Sequence, residues 1–266
     1  MGQLYGGHPG VDLYTLRSMQ EVRIENRIQH AQTGLLKQTH VSAWDRAVLA
    51  DAARRLGVGG YDVLHPSWMY QTLWPFWEQH TGPKHLMRYT TYGDLPVPAL
   101  PEGVTLPAQY AAVRFYFRFT FQASPQTVAF AKECIRQLAA VQPVVLLNSG
   151  LHADDHLDFM PKDLTNVHRL SDLVPLTPEN NLAMQAAVLA RALGFIGTYG
   201  GLAQLALRYK KPVVSYFTEW GGTAWAHRHL SEMLAHGAGA PFQVLRVGDL
   251  PLIQQVTPTV SLQTSS

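Results

Sequence analysis

The chain has 266 residues, 47% of them hydrophobic and 15% charged, with a formal net charge of +2. That balance excludes a disordered chain and allows either one large domain or two small ones, each able to bury a core. The charge is too small and too scattered for a nucleic-acid surface, and no basic run or RNA-type aromatic motif occurs.

The opening stretch "MGQLYGGHPGVDLYTLRSMQ" has no apolar signal core, and no later run approaches the length of a membrane span. The expectation is therefore a cytoplasmic protein without a transmembrane segment. No glycine-rich strand-to-helix start precedes residue 40. Ser42 is placed to cap a helix that carries Val48, Leu49, Ala52 and Leu56 on one face and stops at Gly57. A short strand, "YDVL", follows, and then an aromatic-rich helix interrupted by Pro75. Residues 1–100 thus read as a partial N-terminal α/β domain. His65 directly follows "YDVL", at that strand's carboxyl end, where it either serves chemistry or packs ahead of Pro66.

Pro83, Pro96, Pro98, Pro101 and Pro107, with Gly82, Gly93 and Gly103 among them, cannot continue a helix or a central strand. This stretch reads as an interdomain linker, ending with residues 101–110.

Residues 111–266 are more regular. Strands are expected at 111–117, 144–147, 167–170, 195–199, 213–217 and 243–247, with helices between several of them. Ser124-Pro125 marks an N-cap and first helical position for a helix reaching about Ala140. Cys134, the one cysteine, shares a face of it with Ala131, Ile135 and Leu138 and reads as a core residue; a single cysteine forms no internal disulfide. Thr177-Pro178 marks a second helix, expected to end at Gly194 as a C′ glycine. Strands alternating with helices at this spacing predict a parallel, doubly wound, Rossmann-like sheet.

The stretch "GFIGTYGGLAQLALRYKKPVVSYF" concentrates the functional signal. Gly197, Gly200 and Gly201 sit where an apolar strand turns into a helix of about Leu202 to Tyr209. Glycine there serves either the turn's own geometry or the close approach of a ligand. The helix N-terminus favours an anion, and Lys210 and Lys211 suit the opposite end.

The longer stretch "NNLAMQAAVLARALGFIGTYGGLAQLALRYKKPVVSYF" resembles the donor-binding half of glycosyltransferases of the GT-B fold, which face two Rossmann-like domains across a cleft. The similarity is to heptosyltransferase-like and fucosyltransferase-like members and covers roughly Tyr110 to Leu250. It implies a two-domain protein with a shortened first domain. It also implies metal-independent transfer of a sugar from a nucleotide-diphosphate donor to a hydroxyl acceptor, such as a glycan or lipid-linked glycan. Thr198, Tyr199, Gly200 and Gly201 would then meet the donor diphosphate. The chain has Tyr199-Gly200-Gly201-Leu202 where heptosyltransferases carry an Asp-Thr-Gly-Pro type sequence, so the resemblance specifies neither sugar nor base.

Further candidates stand at strand and helix ends. Arg114 and Arg118 share a face in or just after the first strand of this half, and a guanidinium there can clamp phosphate oxygens. Of the two, Arg118 is expected to reach the ligand and Arg114 to lie at the surface. Asn148, Ser149, His152 and "DDH" at 154–156 follow the next strand, but their spacing fits no zinc or magnesium pattern, so no metal site is expected. Glu179 and Asn180 open a helix whose start, by the resemblance, holds the donor ribose; capping is the alternative. Glu219 and Trp220 follow strand 213–217 and could face a sugar or base. By the same resemblance the general base comes from the first domain, which points to His65, with His30 and Asp94 behind it. Two other functions remain open at this level: a truncated, non-catalytic nucleotide-sugar-binding homologue, and a GT-B-like sugar-nucleotide epimerase.

Overall fold

A computed structural model describes residues 19–34, 42–60, 94–151, 156–220 and 224–250. Two compact units divide the chain, one within Gly6–Tyr92 and the other from Gly93 onward. The described residues of the first form two helices, α1 (Met19–Thr33) and α2 (Ala43–Leu56). α2 forms as its ends dictate. The Ser42 hydroxyl accepts from the Asp45 amide at 3.1 Å, the Asp45 carboxylate accepts from the Ser42 amide at 2.8 Å, and Gly57 closes the helix with φ 66°.

The second unit is an α/β layer structure. Its strands are β1 (Ala111–Arg114), β2 (Tyr116–Phe117), β3 (Val144–Leu146), β4 (Leu157–Asp158), β5 (Val167–Arg169), β6 (Gly194–Thr198), β7 (Val213–Phe217) and β8 (Phe242–Arg246). Its helices are α3 (Pro125–Val141), α4 (Leu170–Leu173), α5 (Asn181–Arg191), α6 (Gly201–Arg208) and α7 (Ala224–Ala238). A six-stranded sheet runs in the order β5-β3-β1-β6-β7-β8, and every pairing in it is parallel. The strand order reverses beside β1, so β1 and β6 flank the topological switch point of a Rossmann-like sheet.

The two faces alternate as a pleated strand requires. Ala112, Val145 and Phe195 point to one face with α5, α6 and α7. Ala111, Val113, Val144 and Leu146 point to the other with Ala131, Ile135 and Ala139 of α3. α3 starts as expected, with Ser124 and Thr127 closing a reciprocal cap and Pro125 in its first turn. The segment from Asp94 to Gln109 lies along this unit. Leu95, Val104 and Leu106 pack on the core, Tyr209 Oη donates to the Pro96 carbonyl at 3.1 Å, and Lys210 pairs with Asp94 at 3.0 Å.

Two expected boundaries need correction. The single strand at 111–117 breaks at Phe115, and its last two residues leave the main sheet to pair antiparallel with β4. Gly194 is no helix-ending glycine. α5 stops at Arg191, Ala192 is already extended at φ −72° and ψ 158°, and the Leu193 amide donates to Tyr110 O at 2.9 Å. The chain enters the sheet without a left-handed residue, and Gly194 becomes the first residue of β6. At the other end α5 starts at Asn181, four residues after Thr177, because Thr177 and Asn180 first close a turn of their own.

Gly197 is fixed by backbone proximity. A Cβ there would collide with the main-chain carbonyl of Arg114 on β1, whereas one at Gly201 meets nothing within 4 Å. Gly197→Ala should therefore destabilise the protein by about 1–3 kcal/mol through overpacking of the β1–β6 seam. Gly201→Ala should lower the thermal midpoint far less, and a pair of melting curves checks both.

Burial also sets an alkaline limit. It pushes the Cys134 thiol from its ordinary 9.0 up to about 11, and the Tyr110 phenol, whose hydroxyl donates to the Val188 carbonyl at 2.7 Å, up to about 12. Above pH 9.0 the unfolded chain loses the thiol proton first, so stability should fall as pH rises towards about 11. Urea midpoints across that interval check the slope, and Cys134→Ala should flatten it.

Candidate functional site

Ligands of open parallel sheets bind beyond the carboxyl ends of the strands, most often at the switch point. Here that point is filled by Tyr116. Its amide donates to Thr198 Oγ1 at 3.1 Å, and the same hydroxyl donates back to the Tyr116 carbonyl at 3.0 Å. The Tyr116 phenol reaches over β6 to the Tyr199 carbonyl at 3.3 Å. It occupies the space a Cβ on Gly200 would need. From the β3 side the Asn148 amide, fully buried, donates to the Phe115 carbonyl at 2.7 Å.

The two arginines separate at this edge. Arg114 ends β1 and is largely buried, with Nη2 3.0 Å from Asp158 Oδ1 and side-chain exposures of 15% and 10% for the pair. Asp158 Oδ2 accepts from the Ser149 and Gly150 amides at 2.9 and 3.2 Å, so one carboxylate joins β1, β4 and the loop after β3. Arg118 lies beyond β2, exposed, with Nη1 3.4 Å from His156 Nε2 and its guanidinium over Phe119. The His156 ring in turn packs on Tyr116, with centroids 4.2 Å apart.

The glycine turn divides into an inward and an outward half. Thr198 and Tyr199 are buried; the Tyr199 hydroxyl meets Ser231 Oγ at 3.0 Å, and burial raises its pKa. Gly201 is exposed at the first position of α6, with open space above it. A helix start of this kind favours negative charge beside it.

Beside the turn, beyond β7 and β8, lies a cleft of about 520 Å³ lined by Phe217, Glu219, Trp220, Arg228, Arg246 and Asp249. The Trp220 indole stacks on Phe217 with centroids 3.8 Å apart and meets Tyr199 edge-on at 5.8 Å. Arg246 donates from Nε to the Thr218 carbonyl and from Nη2 to Glu219 Oε1, both at 3.1 Å. Arg228 reaches Glu232 at 2.8 Å along α7.

Glu219 and Trp220, singled out from the sequence, thus line an open cleft. Arg228, Arg246 and Asp249 were not singled out. Arg246 ends an apolar strand, the same signal that marked Arg114, whereas Arg228 and Asp249 carry no local signal. Asn180 holds the turn before α5, accepting at Oδ1 from the Thr177 amide at 2.8 Å and donating to the Pro175 carbonyl at 2.9 Å, while Glu179 is exposed. His65, His152, Asp154 and Asp155 lie outside the described residues. Among the described residues, no three His, Cys, Asp or Glu side chains converge as a metal site would require, and no helix is long and apolar enough to cross a membrane. Comparison with models of protein families, with curated proteins and with solved structures finds no match to this chain.

The geometry corrects the expectation that Arg114 lies at the surface, and the two arginines should differ in what they contribute to stability. Arg114→Ala strands the Asp158 carboxylate in a largely buried site and should destabilise by about 3 kcal/mol. Arg118→Ala removes an exposed contact and should cost less than about 1 kcal/mol. Denaturant titration of the two variants distinguishes them.

Proposed function

We propose that this protein is a glycosyltransferase of the GT-B type, moving a sugar from a nucleotide-diphosphate donor to a hydroxyl acceptor without a metal. The observation that carries this reading is the open, exposed backbone of Gly201 at the start of α6, next to a cleft with an aromatic wall and two arginines. The diphosphate meets the α6 amides, where developing negative charge on the leaving group is stabilised by a preorganised dipole. The donor's remaining half extends over Trp220 and Glu219. Arg114 is committed to Asp158, which leaves the exposed Arg118 and the cleft-lining Arg228 and Arg246 to approach the donor. The acceptor hydroxyl loses its proton to a base from the first domain, with His65 in that role. The sequence resemblance over the β6–α6–β7 unit and the Rossmann-like strand order support this assignment together.

Calorimetry with UDP, GDP, ADP and CDP, with and without EDTA, tests it. At least one nucleotide should bind, with affinity unchanged by the chelator. Gly201→Asp should lower that affinity at least tenfold, about 1.4 kcal/mol. A carboxylate in the first turn suits the helix dipole, so folding should persist while the phosphate is repelled. Silence from all four nucleotides in folded protein overturns the assignment. His65→Ala should leave nucleotide affinity intact and lower sugar transfer.

A further inference from the structure

The cleft beyond β7 and β8 is not built for phosphate. Two arginines, Arg228 and Arg246, face two carboxylates, Glu219 and Asp249, so the charges lining it cancel. A phosphate gains little from a neutral wall. A heterocycle that offers a π face together with both donors and acceptors gains from every part of it. The face is supplied by the Phe217–Trp220 stack. Along one edge of the cleft Glu219 and Arg246 lie side by side at 3.1 Å, and Arg246 Nη1 stays 4.0 Å from Asp249, beyond hydrogen-bond reach. Glu219 spends one lone pair of Oε1 on Arg246, so both carboxylate oxygens can still accept; Arg246 uses Nε and Nη2, leaving Nη1 as a donor.

A carboxylate next to a guanidinium suits a base whose edge has two adjacent donors followed by two adjacent acceptors. Guanine has this pattern, with N1–H and the N2 amino group for the carboxylate and O6 and N7 for the guanidinium. Adenine, cytosine and uracil each lack the paired donors. Strand spacing sets the reach. β6 and β8 are separated by β7, hence by about 10 Å, a span that one nucleotide bridges with its phosphates at α6 and its base beyond β8.

Resting on the glycosyltransferase assignment, we propose that the Glu219–Arg246–Trp220 cleft is the base-binding half of the donor site and selects guanine. Glu219 holds N1–H and the N2 amino group, Arg246 turns its remaining donor to O6, and Trp220 stacks on the ring.

The test compares GDP, IDP, ADP, UDP and CDP by calorimetry on the full chain, and on Glu219→Gln and Arg246→Lys. IDP differs from GDP only by the missing N2 amino group. GDP should bind at least tenfold tighter than ADP, UDP and CDP, and several-fold tighter than IDP. Glu219→Gln should erase the gap between GDP and IDP, because the amide offers one acceptor where the carboxylate offers two. Arg246→Lys should weaken GDP and IDP alike, since both carry O6 and lysine lacks the fork. Glu219 and Arg246 are 60% and 46% exposed, so melting curves should match the parent protein. Should either variant fail to fold, the GDP-to-IDP ratio in the parent protein decides. Equal binding of all nucleotides, or a preference for another base, overturns guanine selection and leaves the donor site standing if Gly201→Asp still weakens them. No binding by any nucleotide overturns both.

Discussion

The reciprocal pair of hydrogen bonds between Thr198 and the Tyr116 backbone is the constraint on which this sheet's carboxyl edge depends. One hydroxyl satisfies both main-chain groups of a residue that has just left the sheet. Without it, a buried amide and a buried carbonyl would both lose this hydroxyl at the point where β1 ends, and a buried group left unsatisfied costs about 1–3 kcal/mol. With it, β1 can break at Phe115, and β2 can turn away to pair with β4. Everything above the switch point follows from that break. Tyr116 fills the crevice, His156 packs on its ring, and Asp158 on β4 is carried to within reach of Arg114.

Filling the switch point relocates the accessible surface. In a sheet of this order the crevice between β1 and β6 is the usual place for a ligand. Here the open space lies on the other side of β6, over α6 and beyond β7 and β8. The two glycines of the turn divide the work. Gly200 lacks a side chain because the Tyr116 phenol occupies that space, so it serves the protein's own packing. Gly201 has nothing within 4 Å and faces outward.

Much of the second unit was legible in the sequence because its signals are local. Ser124-Pro125 announces α3, and apolar runs bounded by glycine or proline announce β3, β6 and β7. Their alternation with helices announces a parallel sheet. What escaped is non-local. The break at Phe115 has no breaker residue; it exists because Thr198, 82 positions away, offers a hydroxyl. Asp158 sits in a two-residue strand with no periodicity to detect, and only its pairing with Tyr116 gives it a role. The misassigned end of α5 has the same origin. Gly194 looks like a helix stop by composition, yet the Leu193 amide is captured by Tyr110, and tertiary pairing sets the boundary.

The same distinction explains why Arg114, expected at the surface, is enclosed while Arg118 stays exposed. Spacing places both on one face of a single strand, and on that geometry the residue nearer the strand's end is the more exposed to ligand. Once the strand breaks between them, they no longer share an element. Arg114 becomes the terminal residue of β1 and is enclosed by the β2–β4 ribbon, while Arg118 moves outward with the bridge it forms to Phe121. A further positive charge stands along the edge. Arg246 supplies it because β8 ends level with β7, its register partner at Phe217 placing the guanidinium beside Glu219. Each arginine is held by a carboxylate, but Asp158 is spent on the scaffold, whereas Glu219 remains at the mouth of a cleft, where its second oxygen is open to a ligand.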